Sequence, residues 1–351
     1  MKDYFANSET YLRLGERLFR GDPFKRISKR EVEQFMLFPE ALLAEQCSSA
    51  IRLPKDCWSE QGGKLLDFSL NTQGDLCLVI ATTKGVFAEM NEARYGFPAA
   101  RYNPPLTNAT ILGFRGAQQQ EPVVVLNRVS QSLLERDQIY IGGKRLFQGC
   151  LHDHSHGTQM LSDGSLICQA ESTANAKQGK RVIYREGSEI IAEGNIYYTE
   201  YALTEDKRLV GIDNTHSPLA FYVANHKKVT SEQVEHLGEH NGVVWLISHN
   251  RILRLEEGYV VDEMSILPSS SYTRGFGLLN GQARWVERSK DDLERWVVGQ
   301  QTTSTSFQKV STILTVADGV YRFWGWTGNK HLFEMELEIQ SRRYTPASRI
   351  N

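Results

Sequence analysis

Three histidines alternate along the stretch CLHDHSHGTQMLSDGSLI, which spans residues 150–167. Asp153 and Ser155 separate His152, His154 and His156 from one another. Imidazole nitrogens are common ligands of zinc and iron, and histidine titrates near neutral pH, so this run could bind a metal or transfer protons. The same residues also suit a polar connection that leads into an ordinary strand. The element that positions them decides between these two interpretations.

A repeat of tight turns and short strands organises the chain from about residue 65 onward. Asn-Gly and Asp-Gly pairs favour two-residue hairpins, and an apolar or β-branched run follows each turn. A four-stranded unit that recurs about every 40 residues is typical of a β-propeller blade. The seven turn signals are NTQG (71–74), AQQQ (117–120), SDG (162–164), EDK (205–207), HNG (240–242), LNG (279–281) and ADG (317–319).

The chain therefore resembles an all-β propeller of seven four-stranded blades between about residues 65 and 340, with six or eight blades as alternatives. Trp245, Trp285 and Trp324 share one place in the second strand, so we expect them to pack between blades. Cys77 and Cys168 share that place and are expected to be unreactive core thiols. The G-H…W-D signature of WD repeats and the double glycines of kelch repeats are absent, so no propeller family is assigned.

The first 60 residues are expected to form a segment with a strand pair and a helix. This segment would pack on or close the propeller of residues 61–351 within a single structural domain. TYLRLGERLFRGD (10–22) resembles IYIGGKRLFQG and could supply the outer strands of a blade that the C-terminal chain completes. Ser28 and Glu31 have the spacing of a capping box, which predicts a short helix after them.

Inward-facing residues of the first strands suggest a site in the central channel. Seven residues before the end of four turn signals lies an ionisable side chain, and the histidine run lies where an outer strand leads into the next inner strand. Clustered carboxylates and imidazoles could hold a divalent cation or orient a polar substrate. The candidate catalytic residues are His154, His156, Glu200, Glu235 and Arg274; the candidate binding residues are His152, Asp67, His236 and Tyr272; the candidate metal ligands are His152, His154 and His156.

Three enzyme families have motifs that match the histidine run only in part. The run lacks the aspartate of the H-x-H-x-D-H motif of metallo-β-lactamase-like hydrolases, and those proteins alternate strands with helices. Histidine-triad nucleotide hydrolases have apolar residues between their histidines, where this chain has Asp153 and Ser155. The similarity to arylsulfotransferase-like enzymes covers only a few residues. The usual phosphate-binding and nucleophile-elbow motifs are absent.

Composition excludes several classes of partner. The net charge is −2 with no basic tract, which argues against a nucleic-acid partner. The sequence has no window of 18 uncharged apolar residues, so it predicts no membrane-spanning helix. Five cysteines without a C-x-x-C pair are typical of a reduced, cytoplasmic protein.

The leading hypothesis is a non-enzymatic binding module or scaffold that recognises a protein partner through its loop-bearing face. The first alternative is an enzyme at the channel mouth, a hydrolase or lyase acting on a small polar or sugar-like substrate. A divalent metal is the one cofactor it could need; Glu200 and Glu235 would serve as carboxylate partners, and Arg274 would bind a substrate anion. The second alternative is a carbohydrate-binding propeller that uses Tyr272, Trp326 and Tyr197.

Overall fold

Seven antiparallel sheets make up the described part of the chain in a computed structural model. Six sheets are four-stranded blades, each built from consecutive strands, and the seventh is a five-stranded sheet that combines both ends of the chain. The structure describes residues 47–53, 63–82, 85–97, 107–128, 137–149, 151, 158–171, 181–190, 198–203, 209–213, 220–223, 226–229, 236–240, 243–248, 251–256, 259–265, 272–279, 282–289, 291–299, 301–303, 305–328 and 331–338.

The first sheet contains β2 (Lys64–Leu70), β3 (Leu76–Thr82), β4 (Gly85–Met90) and β5 (Ala93–Gly96). The second sheet contains β6 (Thr107–Arg115), β7 (Glu121–Arg128), β8 (Asp137–Ile141) and β9 (Lys144–Gly149). The third sheet contains β10 (Thr158–Met160), β11 (Leu166–Glu171), β12 (Arg181–Arg185) and β13 (Ser188–Ile190). The fourth sheet contains β14 (Tyr198–Leu203), β15 (Leu209–Asp213), β16 (Ala220–Val223) and β17 (His226–Val229). The fifth sheet contains β18 (His236–His240), β19 (Val243–Ser248), β20 (Arg251–Glu256) and β21 (Tyr259–Ser265). The sixth sheet contains β22 (Tyr272–Leu279), β23 (Gln282–Arg288), β24 (Glu294–Val298) and β25 (Gln301–Thr302). The closing sheet contains β1 (Ser49–Arg52), β26 (Lys309–Val310), β27 (Leu314–Ala317), β28 (Val320–Trp326) and β29 (His331–Glu338).

Each of the seven predicted turns lies between the first and second strand of one sheet, so the predicted repeat is confirmed. The first turn shows why the sequence folds this way locally. Asn71 accepts the backbone N–H of Gln73 at 3.0 Å and of Asp75 at 2.8 Å through its side-chain oxygen. Gly74 has a φ of 92°, which favours glycine.

The closing sheet joins the two ends of the chain. β1 pairs with β29 from Ser49 opposite Glu334 to Arg52 opposite His331, so a strand that precedes the first sheet adds to the closing sheet. Residues 10–22 and the predicted helix lie outside the described residues, and the predicted arrangement of the first 60 residues stays a prediction. No helix occurs among the residues that the structure describes. The ring thus holds six four-stranded blades and this closing sheet, where the sequence predicted seven four-stranded blades.

Neighbouring sheets contact one another through their inner strands and bury apolar side chains between them. Trp245, Trp285 and Trp324 are buried in second strands, as predicted. Their burial removes large aromatic surfaces from water, which is the main favourable term in such packing. The rigid ring that results positions the turns and links at its two ends.

The cysteines of the second strands are core thiols. Cys77 and Cys168 are buried and free of disulfides. Burial raises the pKa of the Cys77 thiol well above its usual range and raises the pKa of Cys168 to about 12. Because the thiolate is the reactive form, both side chains are inert at neutral pH, as predicted.

Candidate functional site at the connection face and channel

The two ends of the propeller differ in the length of their chain segments. Since consecutive strands run antiparallel, the first-to-second and third-to-fourth turns lie at one end, which we call the turn face. The other end, the connection face, receives the second-to-third turns and every link between sheets. Turn-face segments have two or five residues, whereas the links between consecutive sheets have six to eleven, such as 97–106 and 150–157.

The link that carries the histidine run is held at both ends by one strand. Leu151 forms a bridge with Ala170, and Thr158 pairs with Cys168, so both ends lie on β11, two residues apart. Leu151 and Thr158 are also buried. His152, His154 and His156 lie outside the described residues, and their metal-binding and catalytic roles stay predictions.

A buried carboxylate holds the start of this link. Asp137, the first residue of β8, is 0 % exposed. Its Oδ2 accepts the backbone N–H of Leu151 at 2.8 Å, and its Oδ1 accepts the Asn127 side-chain amide at 2.6 Å. These bonds compensate the loss of hydration of the carboxylate and position the residue just before His152.

Glu294 has the corresponding position in the sixth sheet. It is the first residue of β24, is 2 % exposed, and accepts the backbone N–H of Val310 at 3.0 Å. Sequence reasoning missed both Asp137 and Glu294. Their shared signal is an acidic residue, followed by one polar residue and three apolar or aromatic ones, at the start of a third strand. This signal is too short to distinguish from a polar strand end.

Asp67 is the predicted channel residue that the structure describes most fully. It is 3 % exposed, and its Oδ1 lies 2.6 Å from the Lys309 ammonium and accepts the Phe68 N–H at 2.7 Å. Its Oδ2 accepts the backbone N–H of Ile111, in the next sheet, at 2.7 Å. Asp67 thus connects three successive sheets, and its predicted role in binding a ligand stays a prediction.

The predicted ring of ionisable residues coincides with irregular pairing in the inner strands. A β-bulge turns a side chain in a new direction and releases a backbone N–H from the ladder. Asp67 follows a register shift in β2, Glu200 lies within one in β14, and Arg274 lies between two in β22. The side chains of Glu200 and Arg274 are outside the described residues, as is Glu235 altogether.

His236 and Tyr272 begin inner strands at the connection face. His236 is half-buried and pairs with Ile247, and Tyr272 pairs with Glu287. Of the aromatic residues considered for carbohydrate binding, Trp326 is half-buried at the end of β28. The structure brings the backbones of His236, Tyr272 and the ends of the histidine link to the same face.

Within the described ranges, no group of three or more His, Cys, Asp or Glu side chains is arranged to hold a metal ion. The same ranges contain no helix that is long and apolar enough to cross a membrane.

Comparison with known proteins found similarity to solved structures alone. No protein-family model matches the chain, and no curated protein matches it by sequence. Virginiamycin B lyase from Staphylococcus aureus is 10% identical over 83% of this chain and 99% of its own, with a TM-score of 0.44. YCF48 bound to D1 peptide is 15% identical over 82% of this chain and 94% of its own, with a TM-score of 0.40. Hsv2 of Kluyveromyces lactis is 11% identical over 80% of this chain and 99% of its own, with a TM-score of 0.43. The order of its own sheets identifies this chain as an all-β propeller.

Proposed function

We propose that this chain is a propeller binding module that holds a protein partner on its connection face. The observation that carries the proposal is the difference in segment length between the two faces. Links of six to eleven residues converge on the connection face, while the turn face has segments of two or five. Longer loops on a rigid scaffold are where recognition residues concentrate, because the scaffold fixes their ends while their sequence is free to vary.

The bases of these links are held firmly, which supports recognition by a prepared surface. Asp137 fixes Leu151, and Glu294 fixes Val310, each through a buried carboxylate that accepts a backbone N–H. Fixed loop ends lower the conformational entropy that binding must remove, and this favours affinity for a protein surface.

An enzyme at the channel mouth is the second candidate, and the geometry of the histidine link favours it. Leu151 and Thr158 are held two residues apart on β11, and the sequence places three histidines between them. Metal content of the purified protein separates the two candidates. Metal near one equivalent, lost when His152, His154 and His156 are replaced by alanine, would favour the enzyme; metal-free protein from metal-replete cells would favour the binding module.

Photo-crosslinking tests the binding module directly. A benzoylphenylalanine at Asp291, which is exposed on the connection face, is compared with one at Gln73, which is exposed on the turn face. We expect a discrete protein adduct from the Asp291 position alone in native extract. Mass spectrometry would identify the adduct, and the purified partner would then be titrated against the chain.

The titration needs matched variants. Replacing residues 98–106 of the first link with a Gly-Ser segment of equal length, which keeps the buried Phe97, should weaken binding of that partner at least tenfold, or about 1.4 kcal/mol. The same replacement in the turn 116–120 should leave the affinity unchanged. Adducts from the turn-face position, or equal effects of the two replacements, would contradict the proposal.

A further inference from the structure

We propose that Asp67, Lys309 and Thr312 form a polar latch between the closing sheet and the first sheet, and that the channel opens locally at this junction when the latch is released. The three residues come from opposite ends of the chain. The Thr312 bonds to Leu70 span 242 residues of sequence. This latch is independent of the partner proposed above.

The latch joins the inner strands of two sheets by hydrogen bonds and one ion pair. The Lys309 ammonium lies 2.6 Å from Asp67. The Thr312 hydroxyl donates to the Leu70 carbonyl at 2.8 Å and accepts the Leu70 N–H at 3.1 Å. Because Asp67 is 3 % exposed, its negative charge depends on Lys309 for compensation.

Both sides of the latch are positioned by the sheets that flank it. Glu294 of the sixth sheet accepts the N–H of Val310, next to Lys309, and also exchanges two backbone bonds with Phe307 at 2.6 and 2.8 Å. On the other side Asp67 accepts the N–H of Ile111 in the second sheet. Release of the latch would therefore affect four successive sheets, namely the sixth, closing, first and second sheets.

Beyond the latch, the inner strand of the closing sheet is poorly packed. Thr315, Val316 and Ala317 of β27 are exposed, and Val316 is 44% exposed, the highest exposure of a large hydrophobic residue in the described part of the chain. At the same end of the neighbouring inner strand β2, Phe68 and Leu70 are 2% and 3% exposed. The polar bonds of this inner edge therefore reach Leu70 at the turn-face end of β2, and the side chains of β27 beyond Leu314 are exposed.

An apolar cluster joins the same two sheets beside the latch. Some of its members, such as Leu70 and Leu314, lie on the inner strands, whereas Ile80 of the first sheet and Trp324 and Leu332 of the closing sheet lie on strands farther from the channel. Apolar contacts between the second and third strands are not lost when a polar bond on the inner edge breaks. These members can therefore act as a hinge, so that the inner edge opens while the two sheets stay joined.

Hydrogen exchange measured by mass spectrometry tests the latch on the full chain. Lys309→Met keeps the apolar stem and removes the ammonium, and Thr312→Val removes the hydroxyl with little change of shape. Either variant should speed exchange at least tenfold in peptides that cover β2, the first half of β6 and β26–β27. Exchange in β19, on the far side of the ring, should not change.

Gln159→Leu is the matched control. The Gln159 side chain accepts the backbone N–H of Tyr201 at 2.7 Å, so it also joins two inner strands, but at a junction away from the closing sheet. This variant should affect exchange near β14 alone. The proposal is overturned if latch variants leave the β2 and β27 peptides unchanged, or if they speed exchange equally in all sheets. Should Lys309→Met fail to fold because Asp67 is left without its counter-charge, Thr312→Val gives the same readout.

Discussion

The turn face and the connection face are the two ends of the same strands, yet the chain treats them differently. On the turn face, segments of two or five residues are closed by their own polar groups and by those of neighbouring turns. The Thr72 hydroxyl donates to Gln119 at 2.7 Å, and Arg115 pairs with Glu186. On the connection face, longer links run from sheet to sheet, and single buried carboxylates fix their ends.

This difference shows where the fold constrains the sequence and where it leaves room. A tight turn needs particular residues at particular positions, because its backbone angles and bonds are set by the distance between two strands. A link of eight or ten residues needs only its two ends held. The connection face can therefore change its chemistry without changing the ring, and the following variants test that separation.

The largest effect is expected from a carboxylate that anchors a link. Asp137→Leu removes the acceptor of the Leu151 N–H and of the Asn127 amide in a fully buried setting, and should lower the free energy of unfolding by about 3 kcal/mol. Urea unfolding measures this loss. Asp137→Asn keeps one acceptor oxygen and should lose less. A loss below about 1 kcal/mol in the leucine variant would show that the link does not depend on this anchor.

A smaller effect is expected at the first turn of the turn face. Asn71→Ala removes the oxygen that accepts the N–H groups of Gln73 and Asp75, and should cost about 1.5 kcal/mol in the same urea assay. Crosslinking from position 291 on the opposite face should be unchanged. An altered adduct pattern would mean that the two faces are coupled, which contradicts the separation drawn above.

The smallest effect is expected from the ion pairs of the turn face at low pH. The hydrogen bond from Arg115, which outweighs partial burial, lowers the pKa of Glu186. Burial opposes ionisation of Asp163, but hydrogen bonds from Ser165 and the Arg185 guanidinium lower its pKa nonetheless. Both groups are therefore more acidic in the folded state than their ordinary values of 4.5 and 3.8.

The sign of the pH dependence follows from these directions. The unfolded chain binds protons more readily at both carboxyls, so their contribution is complete above the ordinary values and is lost as pH falls through the lowered, folded-state values. Because both pairs are partly exposed, we expect less than about 1 kcal/mol in total. Melting temperatures between pH 3 and 7 would show a shallower acid dependence in Arg115→Met than in the parent chain. An unchanged slope would show that the pair of Arg115 with Glu186 does not contribute to the acid dependence of stability.

Local patterns predicted the strands and turns well because each depends on nearby residues. Asp-Gly at residues 163–164 and 318–319 favours a turn, and the alternation of side chains around it favours strands. Even the weaker AQQQ signal marks a true turn, where Gln119 has a φ of 49°. The predicted burial of the second-strand tryptophans was confirmed for the same reason.

The partners of Asp67 could not be predicted in this way. Its position in the inner strand was visible from the turn spacing, but Lys309 lies at the other end of the chain and carries no pattern that points to Asp67. The pairing of β1 could not be predicted for a similar reason. Ser49–Arg52 is a short strand without a turn signal beside it, and its partner β29 lies at the other end of the chain.

The sequence by itself determined the repeat, the all-β class, the turns and the buried second strands, because these follow from the alternation of side chains and from turn chemistry within a few residues. The tertiary structure alone decided which ends meet in the closing sheet, which carboxylates anchor the links, and how Asp67, Lys309 and Thr312 come together. Such contacts join residues that are far apart in the chain. Only the closure of the ring brings them within bonding distance.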